Sequence, residues 1–210
     1  MEFDKFLEIF SGAMAIELNA VRLVWSGRAS GIAVALHRWQ EQGRLLRLKN
    51  GLYLFSEKYR KVEPFEPHIA WLMKNPSYIS LEKALELHHL IPEAIPPYTS
   101  LTTRPRPALF ATPVGRFRYF SFRPAHFWGY RTVERNGYRG YLAEPEKALL
   151  DMFYFRDGPI TAEYLGGMRL QNLDAVNRKK LIAYAKKFGK SKIMEGGKNL
   201  LKWMENNGEG

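Results

Sequence analysis

Few residues able to do chemistry stand close together in this chain. His88 and His89 are adjacent, and Glu144, Glu146 and Asp151 fall close together further on. Paired carboxylates suit general acid–base work, and neighbouring histidines suit metal ligation. The spacings argue against both. Adjacent helical residues point about 100° apart, so the two histidines cannot easily grip one ion. One is expected to be packed and the other exposed. Lys147 and Asp151 have the i, i+4 spacing of an ordinary helix ion pair. Pro145 suits the first position of that helix, and Glu146 in its first turn complements the helix dipole. The sequence has no phosphate-binding glycine loop, nucleophile elbow or nuclease-type carboxylate pattern. The expectation is therefore a protein that is not an enzyme, with no catalytic residues, no cofactor and no metal.

Arginine offers a different chemistry. The net charge is +11, with 32 Lys+Arg against 21 Asp+Glu among 210 residues. That balance points to a polyanion or an acidic protein as partner. The positive charge falls in three blocks, residues 17–61, 104–140 and 178–202. The middle block holds eight arginines, one acid (Glu134) and no lysine. A planar guanidinium suits phosphate or carboxylate held in fixed geometry. Arg104, Arg106, Arg116, Arg118 and Arg123 are read as a secondary basic surface. Strand alternation should put Arg116 and Arg118 on one face. That face is expected to continue the basic surface of the N-terminal block as one strip.

The N-terminal third reads as three helices and a hairpin. Phe3, Phe6, Leu7 and Phe10 recur at helical spacing before Ser11-Gly12. A second helix spans about Leu18 to Trp25, with Leu18, Val21, Val24 and Trp25 on one face. A third runs from about Ser30, as N-cap, to Gln42, stopped by Gly43. Its inner face is Ile32, Ala35, Leu36 and Trp39, so Trp39 belongs to the core. Its outer face is Ser30, Val34, His37, Arg38 and Glu41. Two short β-runs then flank Asn50-Gly51, a pair suited to the positive φ angles of a tight hairpin. This order predicts a winged helix-turn-helix over residues 1–58. In such a domain Arg28, Ser30, His37 and Arg38 would sit near base edges. Arg44, Arg47 and Lys49 on the wing would hold phosphates, and Asn50 in its turn is a further DNA-binding candidate. The same fold also serves as a protein–protein module, in which case the charges are a solvated face.

Residues 56–68 are polar, with Pro64 and Pro67, and mark a junction. Beyond it, residues 59–210 read as a mixed α/β domain with a small, mostly antiparallel sheet followed by C-terminal helices. Helices are expected at Ile69–Met73, from Ser80 as N-cap to Leu90, at Pro145–Phe155, at Leu173–Phe188 and at Ser191–Met204. Strands are expected at Tyr98–Thr102, Gly115–Phe122, Phe127–Val133 and Tyr138–Ala143. Gly196-Gly197 should weaken the last helix by roughly 1 kcal/mol each. The whole chain is thus α+β.

Several stretches carry a family resemblance. They are Ser77-Tyr78-Ile79-Ser80-Leu81-Glu82-Lys83-Ala84-Leu85 with His88-His89-Leu90-Ile91-Pro92-Glu93, Thr112-Pro113-Val114-Gly115-Arg116-Phe117 with Phe127-Trp128-Gly129, and Ala143-Glu144-Pro145-Glu146-Lys147-Ala148-Leu149-Leu150-Asp151. With the hairpin run Arg44 to Tyr53, their order and spacing over about 18–205 resemble the AbiEi family of bacterial antitoxins and transcriptional regulators. His89 departs from the glycine usual there, so the turn after that helix is expected to differ. The resemblance implies autorepression of an operon through the N-terminal domain, with the chain's own operator DNA as partner. It also implies antitoxicity through the C-terminal domain against a nucleotidyltransferase-like toxin, in a type IV toxin–antitoxin system of abortive infection. The alternatives are a stand-alone winged-helix regulator without a toxin and a nucleic-acid-processing enzyme using the arginine-rich sheet.

The chain has no cysteine, so neither a disulfide nor a thiolate zinc site can form. Its first residues lack a signal-peptide pattern, and no apolar window approaches the roughly 20 residues that span a bilayer. The expectation is a cytoplasmic protein with no membrane partner.

Overall fold

The structure is a computed structural model, and it describes residues 1–207. The chain is α+β. Its N-terminal unit contains α1 (Phe3–Phe10), β1 (Ile16–Glu17), α2 (Leu18–Val24), α3 (Ala29–Glu41), β2 (Leu45–Lys49) and β3 (Leu52–Phe55). The three strands form one antiparallel sheet in the order β1-β3-β2. The helical spacing of Phe3, Phe6 and Phe10 buries one stripe of α1. That stripe meets Trp39 of α3, which is 1% exposed, with ring centroids 5.4 Å from Phe3 and 4.7 Å from Phe6. Ile32, Ala35 and Leu36 are buried beside it, so the inner face of α3 is the one its periodicity indicates. In α2, by contrast, only Val21 is buried, and Val24 lies on the surface.

Capping differs from expectation at two serines. Arg28, not Ser30, occupies the N-cap of α3, and Ser30 lies within the first turn. Ser80 does sit at the N-cap of its helix but makes no capping bond: its hydroxyl donates to Asp151 Oδ2, and the Lys83 amide of the first turn donates to Thr99 Oγ1. Gly43 takes a φ of +65° after α3 and stops it as expected. In the hairpin only Gly51 takes a positive φ, and a register shift between Arg47 and Lys49 accompanies the turn.

The remainder begins with α4 (Glu66–Met73), β4 (Ser77–Ile79), α5 (Leu81–Leu87), β5 (Pro97–Thr102), β6 (Ala108–Thr112) and β7 (Gly115–Ser121). A short 3-10 helix, Pro124–His126, leads to β8 (Tyr130–Arg135) and β9 (Tyr138–Ala143). Then come α6 (Pro145–Phe155), α7 (Ala162–Gly167), a 3-10 turn at Leu173–Ala175, α8 (Arg178–Phe188) and α9 (Ser191–Asn207). The sheet is larger than the small one expected. It has six strands in the order β6-β7-β5-β4-β9-β8. Pairs β5–β7 and β4–β9 are parallel, and the other three are antiparallel. Parallel partners must come from distant segments, as β4 and β9 do, whereas the edge strand β6 pairs only with β7, antiparallel, across a tight turn at Pro113-Val114.

Helices cover both faces of this sheet. On one face Ala70 of α4 accepts from Tyr119 Oη at 2.6 Å and from Ser77 Oγ at 3.4 Å. On the other, Phe120 meets Phe155 of α6, with centroids 5.5 Å apart. The hairpin β2–β3 links the two units. Leu45, Tyr53 and Phe55 enter the N-terminal core. Leu48, Leu52 and Leu54 enter the larger core, shared with α4, the six-stranded sheet and α6. His89 takes a φ of +57°, so it adopts the left-handed turn a glycine would favour.

Gly196 and Gly197 are buried inside α9. A Cβ on Gly196 would stand 2.8 Å from Ile160 Cγ1 and 3.1 Å from Phe153 Cδ2. Close packing therefore explains a residue that propensity disfavours. Gly196→Ala should destabilise the fold by about 1–3 kcal/mol through overpacking, although helix propensity alone would give a gain of up to about 1 kcal/mol. Urea unfolding measures the sign; a stabilised variant would refute the close approach.

Candidate nucleic-acid interface

The N-terminal basic residues do not share one surface. The outer face of α3 exposes Ser30, Gly31, Val34, His37 and Arg38, with Val34 68% exposed. The face is shallow near the helix start, because Ala29, Gly31 and Ala33 are small. Between α2, α3 and β2 lies a concavity of about 220 Å3, where Arg22, His37, Gln40, Arg47 and Asn50 come together. Arg28 is exposed at the α3 N-cap, in extended backbone. Arg22 and Gln40 escaped the sequence reading as site residues. The helical register of α2 carried the signal for Arg22, which follows the buried Val21.

Two wing residues lie elsewhere than expected. Arg44 turns toward α1, where its guanidinium lies over the Phe3 ring, 4.6 Å from the centroid. Lys49 Nζ donates to Leu72 O and Met73 O, both at 2.8 Å. It thereby satisfies carbonyls that the end of α4 would otherwise leave open. Burial pushes its ammonium below the ordinary lysine range, against an opposing pull from Glu17. Lys49 is thus a clasp between the two units rather than a free cation.

The five residues of the secondary basic surface also separate. Arg104 Nε donates to Asn75 O at 2.8 Å, and the carbonyl of Arg106 accepts from Lys74 Nζ at 2.5 Å. Both arginines therefore flank the end of α4. Arg116 and Arg118 share a face of β7, as alternation requires, and both are exposed. Arg118 lies over Phe120, 4.8 Å from its centroid. Phe120 packs on α6, whereas Phe117 and Tyr119 point to α4, where Lys49 fastens the hairpin. The β7 arginines hence occupy the face of the sheet opposite α4. Arg123 is exposed just before the 3-10 helix.

The carboxylates of 144–151 all have partners. Glu144 accepts from Lys180 Nζ at 2.7 Å and from Tyr184 Oη. Burial raises its pKa, but these two bonds and nearby positive charge outweigh that and leave it below its ordinary value. Glu146 Oε1 accepts from the Asn177 amide at 2.7 Å. Asp151 accepts from Ser80 Oγ at 2.7 Å, Tyr78 Oη at 3.1 Å and Lys147 Nζ. The Lys147–Asp151 pair is fully buried, unlike the ordinary helix pair its spacing suggests. Burial lowers the Lys147 pKa against the pull of Asp151, and burial raises that of Asp151 against its donors. The Lys147 ammonium sits 4.8–5.4 Å from the ring centroids of Tyr78, Phe122, Trp128 and Phe188. His88 is half-buried and donates from Nε2 to Ala143 O at 2.7 Å, while His89 is exposed. Among the described residues, no group of three or more His, Asp or Glu side chains is placed to hold a metal ion. No described helix is long and apolar enough to cross a membrane.

Set against known families and curated proteins, the chain matches none.

Removing one member of the buried pair leaves an uncompensated charge, whereas replacing both with apolar groups does not. Lys147→Met should destabilise by about 3–5 kcal/mol, and Lys147→Met/Asp151→Leu should recover most of that loss. Chemical denaturation of the two variants is the measurement. A double variant no better than the single one would mean that the polar network, not charge balance, is what the fold requires.

Proposed function

We propose that residues 3–55 are a winged helix-turn-helix that binds duplex DNA, with α3 as the recognition helix and the β2–β3 hairpin as the wing. The concavity that gathers Arg22, His37, Gln40, Arg47 and Asn50 beside the exposed outer face of α3 carries this reading. A helix enters the major groove with its N-terminal residues at base edges, which gives Arg28, Ser30 and Val34 that role, while Arg38 lies exposed in the last turn of α3. Arg22 and Arg47, flanking the helix, suit phosphates. The element order α1-β1-α2-α3-β2-β3 with sheet order β1-β3-β2 supports the assignment.

The resemblance to AbiEi proteins supports a narrower reading, an antitoxin that represses its own operon and counteracts a nucleotidyltransferase-like toxin. A nucleotidyltransferase gene beside this one would separate that reading from a stand-alone regulator.

Phosphate neutralisation releases counterions, so affinity for a duplex from the protein's own upstream region should fall steeply with salt. Arg47→Ala should weaken all sequences alike and flatten the log–log slope by about 1. Lys49→Ala should leave the slope unchanged, because its ammonium is tied to α4. Fluorescence anisotropy across a salt series decides this, and a slope near zero for the wild type would sink the DNA reading.

The exposed Val34 has a separate consequence. An apolar side chain on a recognition helix suits the thymine methyl group. Deoxyuridine at the contacted thymine removes that methyl, which is worth about 0.8 kcal/mol or fourfold in affinity. Val34→Ala should abolish the difference between the two duplexes. Equal discrimination by both proteins would assign the methyl contact to another residue.

A further inference from the structure

The outer face of β6 and β7 is a second surface, unused by the DNA reading and independent of it. Leu109 stands directly opposite Arg118 in the antiparallel register, and Arg116 lies two residues before Arg118 on the same face. Leu109 is 56% exposed, an apolar side chain beside two exposed arginines. With Pro97, Pro107 and Phe120 these residues line a groove of about 590 Å3. Phe155 of α6 reaches only as far as Phe120, so Arg116, Arg118 and Leu109 remain open.

Charge on this surface is unbalanced. Among the described residues, neither Arg116 nor Arg118 forms an ion pair with a carboxylate. The Phe120 ring under the Arg118 guanidinium holds that group along the groove. Residues two apart on a strand repeat every 6.6 Å or so, and side chains two apart on any extended segment repeat at about the same distance. Two carboxylates spaced i, i+2 on an extended partner therefore match the two guanidiniums.

Nucleic acid is the poorer match. Phosphate surfaces are polar, whereas an arginine pair beside exposed leucine, proline and aromatic side chains has the make-up of a protein–protein contact. The groove also lies on the sheet face opposite α4, the helix that Lys49 joins to the hairpin. We propose that this groove docks an extended acidic segment of a partner protein. Two carboxylates, two residues apart, engage Arg116 and Arg118, and an apolar side chain two residues further on packs against Leu109 and Phe120.

The test uses the full chain and a fluorescein-labelled peptide with Glu-Ser-Glu-Ser-Leu at its centre. Its controls are the same peptide with Leu replaced by Ser, one with both Glu replaced by Lys, and the duplex used above. The acidic peptide should bind the wild type, and Arg116→Ala/Arg118→Ala should weaken it at least tenfold while duplex affinity stays the same. Leu109→Ser should erase the preference for Leu over Ser. Arg116→Glu/Arg118→Glu should transfer binding to the lysine peptide, which separates charge recognition from loss of fold. Failure of the acidic peptide to bind, or equal binding by wild type and the double alanine variant, would overturn the proposal. Loss of duplex affinity in the double alanine variant would also overturn it, and would make the face a nucleic-acid surface instead.

Discussion

The buried pair of Lys147 and Asp151 is the constraint around which the larger unit is built. Two charges removed from water require close mutual contact and full hydrogen bonding. Asp151 obtains this by drawing in Ser80 and Tyr78, which fixes the start of α5 and the strand β4 against α6. Lys147 obtains it from Asp151, from Tyr78 Oη at 2.9 Å and from four surrounding aromatic faces. Those rings come from β4, from the segment after β7, from the loop before β8 and from the end of α8. The partners of one ammonium thus come from five segments distant in sequence. Gly129 fits this account, since a Cβ there would stand 3.0 Å from the Lys147 stem.

A second constraint lies in the hairpin. A strand pair with two apolar faces must be covered on both sides. β2 and β3 meet this by lending Leu45, Tyr53 and Phe55 to one core and Leu48, Leu52 and Leu54 to the other. The consequence is a shared boundary rather than a free linker. Lys49 reinforces it at the end of α4, and Tyr138 Oη does so further away, donating to Gly12 O at 2.8 Å and accepting from the Met14 amide at 3.0 Å.

Local pattern made most helices legible, although α7 (Ala162–Gly167) went unread and the helix expected over Leu173–Phe188 is a 3-10 turn followed by α8. Phe3, Phe6 and Phe10, and Ile32 through Trp39, declare their faces because helical neighbours are three or four residues apart. Two strands were not legible: β4 is three residues long with a remote parallel partner in β9, and β6 lies between Pro107 and Pro113, although its partner β7 follows directly. Side-chain direction was the other gap. Sequence reveals that Arg44 and Lys49 are basic, but not that a ring takes one and a helix terminus the other. Likewise Ser80 has the right type and place for a cap, yet its hydroxyl turns to Asp151 and the first-turn amide of Lys83 finds Thr99 Oγ1. At the candidate interface Arg28, Ser30, His37 and Arg38 were legible because they lie on an exposed helix face. Arg22 and Gln40 needed the concavity to be seen.

Helix α4 makes the two surfaces parts of one rigid arrangement. Its C-terminal carbonyls hold Lys49, its middle holds Tyr119 and Ser77, and its first turn lies so close to β9 that a Cβ on Gly140 would stand 2.5 Å from the Pro67 carbonyl carbon. The following residue, Lys74, reaches across to the loop before β6. The outer face of α3 is therefore held in fixed relation to the sheet, while the groove of Arg116 and Arg118 opens on the sheet's other side.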